Sequence, residues 1–117
     1  MEFIEAPAFT RHLGHYLDDE GYRRLQTSLI ANPEAGDVIP DSGGFRKVRW
    51  LDQRRKKGKR GGLRIIYYLF PEDAQIWFVT LYDKEQRDDL TPAEKRALHR
   101  AITAEKAARS VTKKPRP

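Results

Sequence analysis

The residues with the clearest chemical potential form a basic block in the middle of the chain. From Arg46 to Arg64, ten of the 19 residues are Lys or Arg and one is acidic, which gives a net charge of +9. The whole chain has a net charge of +6, so the remainder carries −3. A concentrated positive field favours a polyanion, most commonly a nucleic acid. The alternative interpretation is a solvated surface loop.

Basic residues interspersed with tyrosines are typical of a surface that binds RNA. Arginine holds phosphate through paired hydrogen bonds, lysine holds it as a point charge, and tyrosine stacks on unpaired bases. The residues that we predict to contact RNA are Lys47, Arg49, Arg54, Arg55, Lys56, Lys57, Arg60 and Tyr68. For Tyr68 the alternative is packing within the fold.

The same region contains groups that could cleave RNA without a metal ion. The 2′-hydroxyl of RNA can attack its own phosphate if the enzyme assists proton transfers and stabilises the phosphorane. The three histidines lie outside the basic block, so lysine or tyrosine would have to transfer the protons. Lys59, Lys84 and Tyr82 are candidates, and neighbouring cations lower the pKa of a lysine. Arg64 suits stabilisation of the phosphorane.

Other kinds of site have weaker support in the sequence. His12 and His15 stand three residues apart, but two surface histidines are the favoured interpretation, so we expect no metal and no cofactor. The glycine-rich segment Gly58–Gly62 lacks the Ser or Thr that follows the lysine of a P-loop. Cysteine is absent, which excludes a thiolate nucleophile and a cysteine zinc site.

Length and hydropathy predict a single soluble domain. The chain has 117 residues, and none of its apolar runs approaches the roughly 18 residues that span a bilayer. The first residues are acidic, whereas a signal peptide begins with a basic segment. We therefore expect a cytoplasmic protein without a membrane partner.

The apolar periodicity predicts secondary structure in the order β-α-α-β-β-β-α. The predicted elements are a strand at Phe3 and Ile4, helices over Phe9–Leu17 and from Asp18 or Asp19 to Asn32, strands over Phe45–Leu51, Leu63–Phe70 and Ile76–Tyr82, and a helix from the Thr91–Glu94 capping box to about Lys106. This order predicts an α+β domain over residues 1–107, with an antiparallel sheet and helices packed on one face. We expect residues 108–117 to form a basic, disordered tail.

Alternation along the strands predicts which side chains meet. Arg64 and Tyr68 share one face of their strand because successive side chains point to opposite faces. On the uncovered face of the sheet they would meet Tyr82 and either Lys47 or Arg49. In the last strand, simple alternation groups Tyr82 with Thr80 and Phe78, and groups Trp77 with Val79 and Leu81.

Four segments, taken in order, resemble the HigB-like branch of the RelE toxin superfamily. They are Gly36–Pro40, Gly43–Arg49, Gly58–Tyr68 and Leu81–Thr91. The most specific piece is Gly-Lys-Arg-Gly-Gly at Gly58–Gly62. The resemblance extends from Phe3 to about Ala104, which is most of the chain.

The resemblance implies a toxin of a type II toxin–antitoxin pair, a ribosome-dependent endonuclease that cuts mRNA in the decoding site. Its partners would be the 70S ribosome, mRNA and a cognate antitoxin, expected to be a helix-turn-helix protein. Arg64 matches the strand arginine that stabilises the scissile phosphate. Lys84 matches a second cationic position, and Lys59 and Arg60 fall in the segment that grips phosphates.

The chain departs from RelE after its last predicted strand. Leu90 stands approximately where RelE has a tyrosine, and Tyr82 is the candidate substitute. Two other functions therefore stay open: a noncatalytic RNA-binding protein and a ParE-like toxin that inhibits gyrase. ParE-like relatives lack the cationic catalytic cluster, so the set Lys59, Arg60, Arg64 and Lys84 favours cleavage.

Overall fold

The computed structural model describes residues 1–51, 62–87 and 89–113. Its elements are β1 (Glu2–Glu5), α1 (Pro7–Tyr16), α2 (Asp19–Ala31), β2 (Asp37–Val38), β3 (Arg46–Trp50), β4 (Leu63–Phe70), β5 (Gln75–Asp83) and α3 (Pro92–Lys113). Six predicted site residues lie outside the described ranges: Arg54, Arg55, Lys56, Lys57, Lys59 and Arg60. Within those ranges, α1, α2 and α3 are all too short or too polar to cross a bilayer.

The five strands form one sheet in the order β1-β5-β4-β3-β2. The α+β class predicted from the sequence is confirmed. The sheet is mixed, however, because β1 pairs with β5 in parallel, whereas the other pairs are antiparallel. Parallel neighbours need a long crossover, and the chain between β1 and β5 provides it.

Helices α1 and α2 pack on one face of the sheet. Their buried residues Phe9, Leu25 and Leu29 lie in one core cluster with Tyr67 and Phe78. The Phe9 and Phe78 rings stack with centroids 4.6 Å apart. Helix α1 has a proline in its first turn, and the Asp18 carboxylate caps α2 by accepting the Gly21 N–H at 2.7 Å.

Helix α3 packs on the opposite face, which corrects the prediction of helices on one face only. Its buried Ile102 belongs to a second core cluster with Ile66, Tyr68 and Phe70 of β4. A Cβ atom on Gly43 would lie 2.8 Å from Ile102 Cγ2, so glycine allows the helix to approach the chain here. The two faces of β4 are similarly apolar, and each therefore needs a cover.

A β-bulge in β5 changes the predicted alternation. Ile66 pairs with Thr80 but Tyr67 pairs with Phe78, which leaves Val79 as the extra residue. Two groupings are therefore wrong: Phe78 shares the α1 and α2 core with Leu81, whereas Trp77 and Val79 pack in the α3 core with Tyr82. The placement of Tyr82 beside Arg64 is unaffected because both lie on the same side of the bulge.

Helix α3 runs past its predicted end near Lys106 and into the segment expected to be disordered. Arg109 anchors it to the β4–β5 connection through an ion pair with Asp73 at 2.7 Å. The same guanidinium pairs with Glu105 at 2.8 Å and lies 3.7 Å from the centroid of the Phe70 ring. These contacts stabilise a part of α3 whose exposed residues, taken alone, do not predict packing against the rest of the fold.

The start of α3 agrees with the predicted capping box. The Thr91 hydroxyl accepts the Glu94 N–H at 3.1 Å, and the Glu94 carboxylate accepts the Thr91 N–H at 2.8 Å. Arg87 also pairs with Glu94. The first turn of α3 is therefore fixed against the segment that follows β5.

The hydroxyl of Tyr67 provides a test of how the loop before β2 is held. It donates to the Pro33 carbonyl at 2.7 Å and accepts the Gly36 N–H at 2.9 Å. Tyr67→Phe should lower the free energy of unfolding by about 1–3 kcal/mol because it leaves a buried N–H without an acceptor. Urea denaturation measures this change.

Tyr22→Phe is the matched control for this prediction. Its hydroxyl donates to the Glu5 carboxylate at an exposed position, where water replaces the lost bond. We expect a smaller loss of stability than in Tyr67→Phe. Equal losses would contradict the assignment of the effect to burial.

Candidate functional site

A cationic cleft of about 330 Å³ opens where β3, β4 and the end of β5 meet the start of α3. Its lining residues are Asp37, Val38, Ile39, Pro40, Lys47, Arg49, Arg64, Lys84, Asp89 and Lys95. Five of them are cationic and two are acidic. Four predicted site residues, Lys47, Arg49, Arg64 and Lys84, are therefore together in one place.

Strand register brings the two arginines side by side. Arg49 of β3 is the direct partner of Arg64 on β4, and Arg64 is in turn the partner of Tyr82 on β5. Lys47 lies two residues along β3, on the same face as Arg49. Antiparallel pairing thus turns sequence separations of 15 to 18 residues into direct cross-strand neighbours.

Arg64 is the most unusual charge in the cleft. It is 7% exposed, and its Nη1 donates a long hydrogen bond of 3.4 Å to the Leu63 carbonyl. Burial and the nearby Arg49 lower the pKa of Arg64, against an opposing effect of Tyr82. An arginine nevertheless stays protonated, so a buried guanidinium beside a second cation favours binding of an anion.

Lys84 enters the cleft from the turn that follows β5. The Asp83 carboxylate accepts the Glu85 N–H at 2.9 Å and thereby shapes this turn. The Lys84 N–H donates to the Gly62 carbonyl at 2.8 Å, which holds its backbone against the start of β4. Lys84 is exposed and lines the cleft, so its ammonium group has access to a bound ligand.

Tyr82 lies behind the cleft rather than in it. It is 5% exposed, and its buried hydroxyl has no hydrogen-bond partner among the described residues. Burial raises the pKa of Tyr82, with a further contribution from Asp89, while Arg87 and Arg64 oppose the change. An enclosed phenol with a raised pKa that does not line the cleft disagrees with the predicted role in proton transfer.

Tyr68 is also enclosed, which disagrees with its predicted contact with RNA. It is 8% exposed and packs against Phe45 and Phe70, with ring centroids 5.1 and 4.7 Å away. The Lys106 ammonium lies over its ring at 5.2 Å. These neighbours occupy the surfaces on which a base would stack.

Six lining residues were not predicted as site residues, and Asp89 and Lys95 are two of them. Asp89 bridges two ammonium groups: Lys47 Nζ lies 3.5 Å from its Oδ1, and Lys95 Nζ lies 3.7 Å from its Oδ2. Burial raises the pKa of Asp89, but the Leu90 N–H and the two lysines outweigh it, so the net shift is downward. Lys95 is far from the basic block in sequence, and its only signal was the capping box that fixes the start of α3.

The described residues include no group of three or more histidine, aspartate or glutamate side chains that could hold a metal ion. The cleft itself offers the chemistry of its five cations and of the carboxylates of Asp89 and Asp37. Such a set binds anions and can stabilise negative charge on a phosphorus centre.

Comparison with known proteins supports the architecture. No family model matches the chain. Among solved structures it is similar to the E. coli toxin RelE, in a variant with two arginine-to-alanine substitutions and in the free state. The TM-score is 0.51 over 82% of this chain and 93% of that one. The fold is RelE-like. At 14% identity, the likeness to RelE concerns the fold, and the roles of individual residues must come from the cleft.

The buried hydroxyl of Tyr82 leads to a stability prediction. Tyr82→Phe should leave the free energy of unfolding unchanged or raise it by up to about 1 kcal/mol, because it removes a buried polar atom that has no partner in the described part of the chain. Urea denaturation beside Tyr67→Phe provides the comparison. A loss of more than about 1 kcal/mol would show that the hydroxyl makes a stabilising contact.

Proposed function

We propose that this protein is the toxin of a type II toxin–antitoxin system, of the HigB-like branch, and that it cuts mRNA in the decoding site of the ribosome. The observation that carries the proposal is Arg64, a buried guanidinium in a cleft of five cations on a RelE-like fold. RNA is the polyanion that this cleft, and the basic block beside it in sequence, would bind.

In the proposed reaction the RNA supplies its own nucleophile. The 2′-oxygen forms a bond to the adjacent phosphorus as its proton leaves, and the bond to the 5′-oxygen breaks as that oxygen gains a proton. The products are a 2′,3′-cyclic phosphate and a 5′-hydroxyl. Arg64 stabilises the additional negative charge of the phosphorane, and the step needs no metal ion.

The proton transfers are assigned to lysines. Lys84 lines the cleft and is exposed, and Lys59, in the adjacent basic segment, is proposed as the second group. Tyr82 then acts as the neighbour that packs beside Arg64, because its hydroxyl is enclosed. This division leaves the proton transfers to Lys84, which lines the cleft, and to Lys59, which is assigned from the sequence alone.

Binding of the substrate is assigned to the remaining cations. Lys47 and Arg49 hold phosphates within the cleft. From the sequence, we assign the same role outside it to Arg54, Arg55, Lys56, Lys57 and Arg60. We also propose that the protein acts in the cytoplasm, where it meets the 70S ribosome.

An antitoxin would have to offset the charge of the cleft. A desolvated arginine needs an anionic or well-packed partner, so we propose a cognate antitoxin with an acidic or strongly apolar segment that covers Arg64. A helix-turn-helix protein is the proposed carrier of that segment. Such a complex would block substrate and suppress toxicity.

Expression of this protein alone should arrest bacterial growth with cleaved mRNA. We expect new 5′ ends within translated codons, because the proposed cut occurs in the decoding site. Sequencing of 5′-hydroxyl RNA ends after induction measures this. Intact mRNA during growth arrest would contradict the proposal and favour inhibition of gyrase.

Arg64→Ala should separate chemistry from binding. We expect the cleavage rate at saturation to fall by about 10² to 10³, because the guanidinium is placed where phosphorane charge develops. Single-turnover cleavage on programmed ribosomes, with the protein varied to saturation, measures the rate and the affinity separately.

Arg24→Ala is the matched control. Arg24 is an exposed arginine of α2 that pairs with Glu20 at 3.3 Å, and α2 packs on the face of the sheet opposite the cleft. Its loss removes the same charge without touching the cleft, so the rate at saturation should stay the same. Normal cleavage by Arg64→Ala at saturation would make Arg64 a binding residue only.

A further inference from the structure

One of the two acidic side chains that line the cationic cleft, Asp89, forms ion pairs with two of its lysines. Asp89 lies between Lys47 and Lys95, with one carboxylate oxygen toward each ammonium group. A phosphodiester presents two non-bridging oxygens in a similar way. The carboxylate therefore occupies a position where a phosphate of RNA would make the same two contacts.

The two contacts of Asp89 are long for ion pairs of this kind. Its separations from Lys47 and Lys95 are 3.5 and 3.7 Å, whereas charged N–H···O bonds are normally about 2.7–2.9 Å. Arg109 shows the tight alternative within the same chain, at 2.7 Å from Asp73 and 2.8 Å from Glu105. Asp89 is thus loosely held by its lysines, and another anion can replace it.

The lysines themselves are restricted more than surface lysines usually are. The exposed fractions of the Lys47 and Lys95 side chains are 29% and 23%. The two residues come from different elements that line the cleft, β3 and α3. The capping box and the Arg87–Glu94 pair fix the start of α3, which carries Lys95, and these contacts do not involve the Asp89 side chain.

We infer that Asp89 is a built-in counterion that RNA must displace, and that Lys95 of α3 is a phosphate-binding residue of the cleft. The inference rests on the proposed function only in taking RNA as the ligand. It assigns α3 a second role besides covering the sheet. It also means that Asp89 weakens RNA binding, because its negative charge competes with each phosphate that enters the cleft.

Binding of a fluorescent 2′-O-methyl RNA decamer, which lacks the attacking hydroxyl, tests this inference apart from cleavage. Asp89→Asn keeps an oxygen that can accept the Leu90 N–H but removes the charge. We expect binding to tighten about two- to fivefold at low salt, the range of an exposed ion pair. The salt dependence should steepen by roughly 0.7 for each lysine released to a phosphate.

A double-mutant cycle supplies the decisive comparison. Lys95→Gln should weaken binding and lower the salt slope by roughly 0.7. In the Lys95→Gln background, Asp89→Asn should tighten RNA binding by about half as much or less, because only one of the two lysines remains to be released. Asp37→Asn is the matched control, since Asp37 lines the same cleft but forms no ion pair with a described residue. Its effect should be the same with and without Lys95.

Several outcomes would overturn the inference. Unchanged or weaker binding by Asp89→Asn would show a structural role, and additivity of Asp89→Asn with Lys95→Gln would show a general field effect. If Asp89→Asn tightened binding of a poly-glutamate peptide as much as binding of RNA, the ligand would be an acidic protein segment. Absence of RNA binding by every variant would exclude RNA as the ligand. Failure of the proposed function is distinguishable, because it would appear as tight RNA binding without cleavage on ribosomes.

Discussion

Burial of β4 on both faces is the constraint on which the rest of the structure depends. The strand lies at the centre of the sheet between β3 and β5, and seven of its eight residues are buried. Its side chains at Leu63, Ile65 and Tyr67 supply the core under α1 and α2, and those at Ile66 and Tyr68 supply the core under α3. Arg64 belongs to this strand, so the packing that stabilises the domain also holds a guanidinium out of water.

The position of Arg64 in the sheet carries an electrostatic cost. Arg64 and Arg49 are direct cross-strand partners, and like charges in this relation destabilise a sheet. Burial makes the cost larger, because it removes the guanidinium from water. Among the described residues that line the cleft, no carboxylate lies within ion-pair distance of Arg64 to compensate. The two arginines stay side by side because the surrounding apolar contacts hold the backbone of both strands in place. It also means that the guanidinium has little solvation to lose when an anion binds beside it.

The ion pairs at the two ends of α3 differ in their distances and in their exposure to solvent. At the far end, Arg109 combines short bonds to Asp73 and Glu105 with stacking on Phe70, which fixes the helix to the β4–β5 connection. At the cleft, Asp89 holds Lys47 and Lys95 at longer distances and is half exposed. The tight cluster serves the fold, because it is packed against aromatic rings. The loose one lies where water and ligands can compete with it.

The sequence by itself determined the class of the fold, most element positions, and which residues share a face of β3 and of β4, because these follow from local periodicity and strand alternation. The register that pairs Arg49 with Arg64 does not follow from alternation. Tertiary structure alone decided the rest. The bulge at Val79, the placement of α3 on the second face and the enclosure of Tyr68 and Tyr82 depend on how both faces of β4 are covered. The Asp89 bridge likewise joins β3, the segment after β5 and α3. No local pattern encodes such a contact, since its partners approach only when the helix packs on the sheet.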